Sequence, residues 1–199
     1  DSIQGYLDKG FMRNGKMKKS NKKFPEMEFN NLDFVYYNNI NEDYLYVKYD
    51  SLNNSKISAY DKELSIYGDI YIYPSDVVSE GTVLTNGATL ESDAFSYSMS
   101  KISSEEMSIN LKPLGYSKEI LTSDMVSLNY NLNTKKFNLS TTYFDLENFV
   151  LPYSSLSTSF SSASWDLIDK KITFENLSDE IDLSDFYSTN NNFSNLIIS

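Results

Sequence analysis

The chain contains neither cysteine nor histidine. Without cysteine it has no disulfide framework and no thiolate metal site. Without histidine it loses Ser-His-Asp and Cys-His catalysis, ordinary zinc sites and the usual acid–base group near neutral pH. Asp, Glu, Lys, Tyr and Ser are the chemistry that remains. Glycine and proline number only 7 and 4 in 199 residues, which argues against collagen-like or linker sequence. No apolar run approaches the roughly 18 residues that cross a bilayer as a helix, and no signal-peptide pattern is present. Because it starts at Asp1 without Met, the chain is expected to be a processed or excised segment of a longer protein.

What is abundant is aromatic: 16 Tyr and 12 Phe, enough strand-favouring bulk for a real core. The net charge of −11 is unevenly placed. Residues 1–23 hold seven Lys or Arg against Asp1 and Asp8, a balance of +5, which leaves −16 for residues 24–199. A nucleic-acid partner is not expected, since phosphate binding needs a broad basic surface. The basic stretch Lys16, Lys18, Lys19, Lys22 and Lys23 reads as a solvated strand and loop face, or as a contact for an anionic headgroup or glycan.

Period-two alternation recurs from beginning to end and is clearest over residues 64–73. Leu64, Ile66, Ile70 and Ile72 share one face there, a candidate apolar groove. Tyr67, Tyr71 and Tyr73 share the other and, with Trp165, form a candidate aromatic surface; cross-strand tyrosine packing is the alternative reading. Similar alternation over 44–49, 107–111, 126–130, 157–160 and 172–174 brings the expected number of short strands to ten or more. Asn, Asp, Lys and Ser clusters between them carry turn chemistry. The fold class that follows is all-β: an antiparallel meander forming a β-roll or jellyroll-like stack or a sandwich.

A turn unit recurs. Tyr130–Phe137 and Trp165–Ile172 have the same spacing, and Tyr49–Ile57 matches with one residue inserted. A weaker echo pairs 10–17 with 81–88, each leading through Asn-Gly into a further strand. Such repetition suggests stacked hairpins or a β-roll growing along one axis. At most one short helix is expected, near 178–187, where Asp179 and Glu180 open an apolar-periodic stretch.

No catalytic constellation emerges. Asp61, Asp69, Asp124, Asp145 and Asp166 fall at strand ends or turns, where Asp satisfies local backbone amides, and no pair of them is singled out for glycosidase chemistry. The acids at 179, 180, 182 and 185 lack a calcium-loop pattern. The serine-rich stretch 157–164 has no nucleophile elbow and reads as a polar-alternating strand. Trp165 either stacks on a sugar ring or anchors the core or a sheet edge.

Residues 58–72, a Tyr-Asp turn followed by a strand, a glycine and another strand, resemble a repeat of the OstA-like family, the periplasmic bridge domains of lipopolysaccharide transport. Residues 88–95 and 130–137 are similar to strands of large envelope proteins of Bacteroidota. The resemblance covers about residues 45–175. It implies a β-jellyroll or β-taco stack continuing end to end with neighbouring β-repeats, and a lipid groove lined by the apolar face. The expected organisation is therefore a single elongated all-β domain over 1–199, divisible into sub-units 1–75 and 76–199. The expected function is a non-catalytic structural or lipid-conducting module of an extracytoplasmic envelope protein, in the periplasm or at the outer membrane. A surface adhesion or glycan-binding sandwich is the alternative, and no cofactor is expected.

Overall fold

The computed structural model describes residues 2–8, 11–18, 24–37, 44–53, 55–141, 148–176 and 186–188, with side chains over the described residues between 24 and 176. Among the described residues, eighteen strands form one antiparallel sheet. The first hairpin joins β1 (Ser2–Asp8) to β2 (Phe11–Lys18). The second part of β2 pairs with β3 (Met27–Asn30) and its beginning pairs with β4 (Leu32–Tyr37). From there the sheet runs in two parallel courses. One passes from β3 to β6 (Lys56–Ala59) and β7 (Leu64–Tyr67). The other passes from β4 to β5 (Tyr44–Lys48) and β8 (Ile70–Ile72).

Four long strands reunite the courses: β9 (Val77–Thr85), β10 (Ala88–Tyr97), β11 (Lys101–Leu111) and β12 (Leu121–Asn131). Both β7 and β8 pair with β9, so the sheet continues unbroken through the 75/76 boundary and the two sub-units share one core. Beyond β12 the courses separate again. The first continues with β14 (Phe149–Leu151), β15 (Leu156–Thr158) and β18 (Phe186–Ser188). The second continues with β13 (Lys136–Ser140), β16 (Ser162–Asp166) and β17 (Lys171–Glu175).

The two courses are the arms of a sheet creased along its middle, and the crease is encoded as a change of phase in the alternation. In β10 the buried positions are Ala88 and Leu90, then Phe95 and Tyr97; in β11, Ile102 and Ser104, then Met107 and Ile109; in β12, Leu121 and Ser123, then Val126 and Leu128. Between the phases stand two consecutive exposed residues: Asp93-Ala94, Glu105-Glu106 and Asp124-Met125. An extra residue in a strand bends it and re-aims its side chains, so both arms turn their apolar residues to the same concave side. Register shifts fall at 92/95 in the β9–β10 ladder and at 104/107 in the β11–β12 ladder. The Ser92 Oγ accepts from Ala94 N at 3.0 Å, and the Ser92 and Ser104 hydroxyls lie 2.7 and 2.9 Å from the Glu106 carbonyl oxygen, satisfying backbone that the bulges leave unpaired.

In β7, β8 and β9 glycine makes the crease. A Cβ on Gly68 would stand 1.8 Å from the Glu80 carbonyl oxygen, and Gly81, at φ +99°, would bring one within 2.5 Å of the Tyr67 carbonyl. Only glycine lets these two backbones approach so closely.

Inside the fold, Met27, Phe29, Ile57, Leu64, Ile66 and Val83 of the first arm join Val47, Ile70, Phe95, Tyr97, Phe137 and Trp165 of the second in one apolar cluster, each no more than 3 % exposed. The far ends of the arms are tied together. The Tyr60 hydroxyl, in the β6–β7 turn, lies 2.5 Å from the Ser98 and 2.8 Å from the Lys101 carbonyl oxygen, and Glu63 of the same turn pairs with Lys135 of the β12–β13 turn. Tyr60, Asp61 and Lys62 all have φ between 53° and 72°, a left-handed run that costs non-glycine residues energy and is held by these ties.

Several expectations change. Phe186–Ser188 is a strand, so no helix reaches 186–187, and residues 177–185 lie outside those described. Asp145 also lies outside them. Asn14-Gly15 lies within β2, where that strand passes from one arm to the other, and makes no turn, whereas Asn86-Gly87 does. The serine-rich stretch forms parts of β15 and β16 with a break at 159–161, and Ser157, Thr158 and Ser159 are buried. The turns at 131–136 and 166–171 are alike: Asn131 and Asp166 each accept two backbone N–H groups, and Lys135 and Lys170 are left-handed at φ 56° and 54°. Residues 49–57 instead carry the chain from β5 across the crease to β6 through a short 3-10 turn at Ser51–Asn53, because β5 and β6 belong to different arms.

Candidate functional site

The candidate apolar groove is part of the packed interior. Leu64, Ile66 and Ile70 are at most 1 % exposed, and Ile72 packs against the same core. Their faces meet other side chains, so among the described residues no open channel runs along them. Trp165 also leaves the proposed aromatic surface: it is 3 % exposed and stacks on Phe137 at 5.4 Å, which itself stacks on Tyr130 at 3.9 Å. The registers Tyr130↔Phe137 and Phe137↔Trp165 place the three rings side by side on the concave face. The lone tryptophan is a core anchor.

The tyrosines behave differently. In β5 and β8 the aliphatic residues Leu45, Val47, Ile70 and Ile72 turn inward, so strict alternation turns Tyr44, Tyr46, Tyr71 and Tyr73 outward. Register then makes a platform of them. Tyr37 is opposite Tyr44, and Tyr46 is opposite Tyr71. Tyr37 and Tyr44 stack at 4.8 Å and 18°, Tyr44 and Tyr73 lie 5.3 Å apart, and Tyr46 and Tyr71 5.2 Å. Tyr37 is 43 % exposed and neighbouring Val35 46 %; the other rings of the group are half-buried. Tyr67 stands apart, 39 % exposed and edge-on to Tyr49 at 5.9 Å.

Carboxylates border this platform. Asp69, on the link between β7 and β8, accepts the Tyr46 hydroxyl at 2.6 Å and the Tyr49 N–H at 2.8 Å. Desolvation first, then the hydrogen bond and charge of Asp69, pushes the Tyr46 phenol far above its ordinary range. Desolvation, with Glu80 and then Asp69, raises Tyr71 as well. These phenols stay protonated at neutral pH, with the Tyr46 hydroxyl donating to Asp69. Among the described residues no group of three Asp or Glu is placed to hold a metal ion.

Two clefts flank the Glu63–Lys135 pair where the arms meet. One is lined by Asp61, Leu84, Thr85, Tyr130 and Leu167, the other by Pro25, Tyr60, Met99, Leu132 and Asn133. Their mixed charge and the internal pairing of Glu63 and Lys135 select no ligand chemistry.

Of the residues expected to form the aromatic surface, the structure brings Tyr71 and Tyr73 together, leaves Tyr67 nearby and removes Trp165. It adds Tyr37, Tyr44 and Tyr46. The signal of Tyr44 and Tyr46 was present in the alternation over 44–49, whereas Tyr37 lies outside every stretch singled out in the sequence; which strands become neighbours is a matter of register. No family model, curated protein or solved structure matches the chain. Fold and surface together define a creased, single-sheet antiparallel β protein with an outward-facing tyrosine platform.

Proposed function

We propose that the chain is a non-catalytic, glycan-binding β module of a bacterial cell-envelope protein, working outside the cytoplasm. One observation carries this reading: five tyrosines, four from β4, β5 and β8 and Tyr73 just past β8, linked ring to ring on the solvent side of the sheet and bordered by Asp69 and Glu80. Ring faces take the C–H side of a pyranose, and phenols and carboxylates take its hydroxyls, the division of labour that suits an amphipathic ring. The same tyrosines brace one another, so the platform is rigid before it binds. Lipid conduction is the weaker reading, because the face expected to line a groove is filled by core side chains.

The structural reading keeps one observation in its favour. Among the described residues β1 pairs only with β2, β17 only with β16, and β18 only with β15, which is where neighbouring β-repeats could add strands.

The test is binding to an immobilised glycan panel. A carbohydrate ligand lost on Tyr44→Ala or Tyr71→Ala, in variants that keep the wild-type melting temperature within a few degrees, is the expected result. Retention of binding by both variants, or no binding to any member of the panel, would remove the reading.

A further inference from the structure

The outer face continues past the platform. The registers Tyr46↔Tyr71, Tyr71↔Val78 and Val78↔Ser96 lead from β5 onto β10. From there one cross-strand row runs Ser96, Ser103, Asn129, Asn138, Ser164, Thr173, each directly opposite the next on β10, β11, β12, β13, β16 and β17. All six point away from the core and are half-buried or exposed.

Three features separate this row from an ordinary solvated face. Across six successive strands it carries no charged side chain, although charged residues make up 23 % of the chain. Its next row outward is strongly charged, with Lys101, Lys136, Asp166 and Lys171 in register, so the uncharged strip has a sharp edge. Among the described residues, the side chains of Ser96, Ser103, Asn129, Ser164 and Thr173 have no hydrogen-bond partner. One row inward, Ser127 and Ser140 bond to each other at 2.6 Å and Ser162 donates to the Glu175 carbonyl at 2.9 Å. Asn138 Nδ2 reaches the Asn129 carbonyl at 3.5 Å, and the other five residues of the row are left with free hydroxyl and amide groups among the described residues. Shallow troughs lie along it: one beside Val78, Ser96 and Ser103, walled on its inner side by Asp93, Glu105 and Glu106, and one over Asn129, Asn138, Ser164 and Thr173, with Lys136 and Glu175 at its rims.

Resting on the glycan reading of the tyrosine platform, we infer that the ligand is an extended, uncharged polysaccharide that lies across the strands, held by the tyrosines and hydrogen-bonded along this row. Successive strands in a sheet are spaced about 4.8 Å apart, close to the length of one pyranose in an extended chain, so each strand meets about one sugar and the row from Val78 to Thr173 spans about 30 Å. Free hydroxyls and amides match neutral sugar hydroxyls in both donor and acceptor sense. The −16 balance of residues 24–199 disfavours acidic polymers over neutral ones.

The experiment is calorimetric titration of the whole chain with linear β-1,4-glucan, β-1,3-glucan, β-1,4-mannan and β-1,4-xylan oligosaccharides from dimer to octamer, with polygalacturonate as the acidic comparison. Expected is a neutral series whose affinity rises with length by about tenfold or more, the effect of one or two added hydrogen bonds, with polygalacturonate unbound. Ser103→Lys and Ser164→Lys, at solvent-facing positions and checked for an unchanged melting temperature, then bring the octamer down to the affinity of the dimer and leave the dimer unaffected. If dimer and octamer bind equally, Ser164→Lys is silent and Tyr71→Ala abolishes binding, the row is overturned while the platform stands. If polygalacturonate binds as well as the neutral octamer, the uncharged-ligand inference is overturned. No binding by any series overturns both.

Discussion

Replacing Gly68 by alanine tests the crease directly. The added Cβ would sit 1.8 Å from the Glu80 carbonyl oxygen and 2.8 Å from its carbon. Both are backbone atoms, so no rotamer change relieves the contact, and the two strands must part by more than an ångström. That separation breaks the Glu80 N to Asp69 O hydrogen bond of 3.1 Å and moves the carboxylate that orders Tyr46 and Tyr49. One lost backbone hydrogen bond at about 1 kcal/mol and overpacking strain of about 1–3 kcal/mol together give a loss of about 2–4 kcal/mol. For a chain of this length this is a fall in melting temperature of about 4–16 °C, at roughly 2–4 °C per kcal/mol.

Two further glycines separate the causes. Gly115 has φ +93° and nothing within 4 Å of an added Cβ, so Gly115→Ala carries only the positive-φ cost of about 1 kcal/mol. Gly81 combines φ +99° with a 2.5 Å approach to the Tyr67 carbonyl, so Gly81→Ala should lose at least as much as Gly68→Ala. Urea unfolding of the three variants measures the order. A Gly68→Ala variant within about 0.5 kcal/mol of the parent, or no worse than Gly115→Ala, would refute the argument that close backbone approach makes the crease.

The buried Ser79 and Tyr97 hydroxyls lie 2.7 Å apart, so Ser79→Ala or Tyr97→Phe should each cost about 1–3 kcal/mol and the double variant less than their sum in a denaturation cycle; strict additivity would show that the bond is unimportant. Tyr60→Phe removes the hydroxyl shared by the Ser98 and Lys101 carbonyls and should lower stability by about 1 kcal/mol; an unchanged unfolding midpoint would deny the tie between the arms a stabilising role. Burial first, then the nearby charge of Glu63, pushes the Tyr130 phenol up to about 12, and burial is likewise the largest cause raising Tyr60 and Tyr97. A raised phenol pKa means stability is full below the unfolded value of about 10 and is lost as pH climbs toward the folded value. Urea midpoints should therefore hold up to about pH 9 and fall above about pH 10, with a shallower fall in Tyr130→Phe; a flat profile to about pH 11.5 would contradict it. Because Trp165 is the single tryptophan and is buried, its emission should be blue-shifted, move to the red on unfolding and stay unmoved on addition of glycan; a native spectrum like that of free tryptophan would place the ring in solvent.

Period-two alternation with scarce glycine and proline was enough, by itself, for the all-β class and the inward faces of the strands at 64–72; the strands are antiparallel as expected, but they pair across two interleaved courses and not as a simple meander. Class and inward faces are local properties: the pleat sends neighbouring side chains to opposite sides whatever the strand pairs with. The crease was also written locally, as the paired non-core residues Asp93-Ala94, Glu105-Glu106 and Asp124-Met125 that shift the alternation by one, and as Gly68. Lack of cysteine and histidine narrowed the chemistry in the same way.

Tertiary structure decided whatever depends on who lies beside whom. Whether Leu64, Ile66 and Ile70 line a groove or a packed core depends on the opposite arm, and residues far away in sequence fill that space. Trp165 could not be told from a surface ring until its register with Phe137 put it inside. Tyr37, Tyr44, Tyr46, Tyr71 and Tyr73 are three separate aromatic stretches in the chain and one platform in the sheet, and the uncharged row from Ser96 to Thr173 draws one residue from each of six strands. Alternation specifies a face, but only long-range strand pairing, set by bulges, turns and core packing acting together, specifies the neighbours on that face.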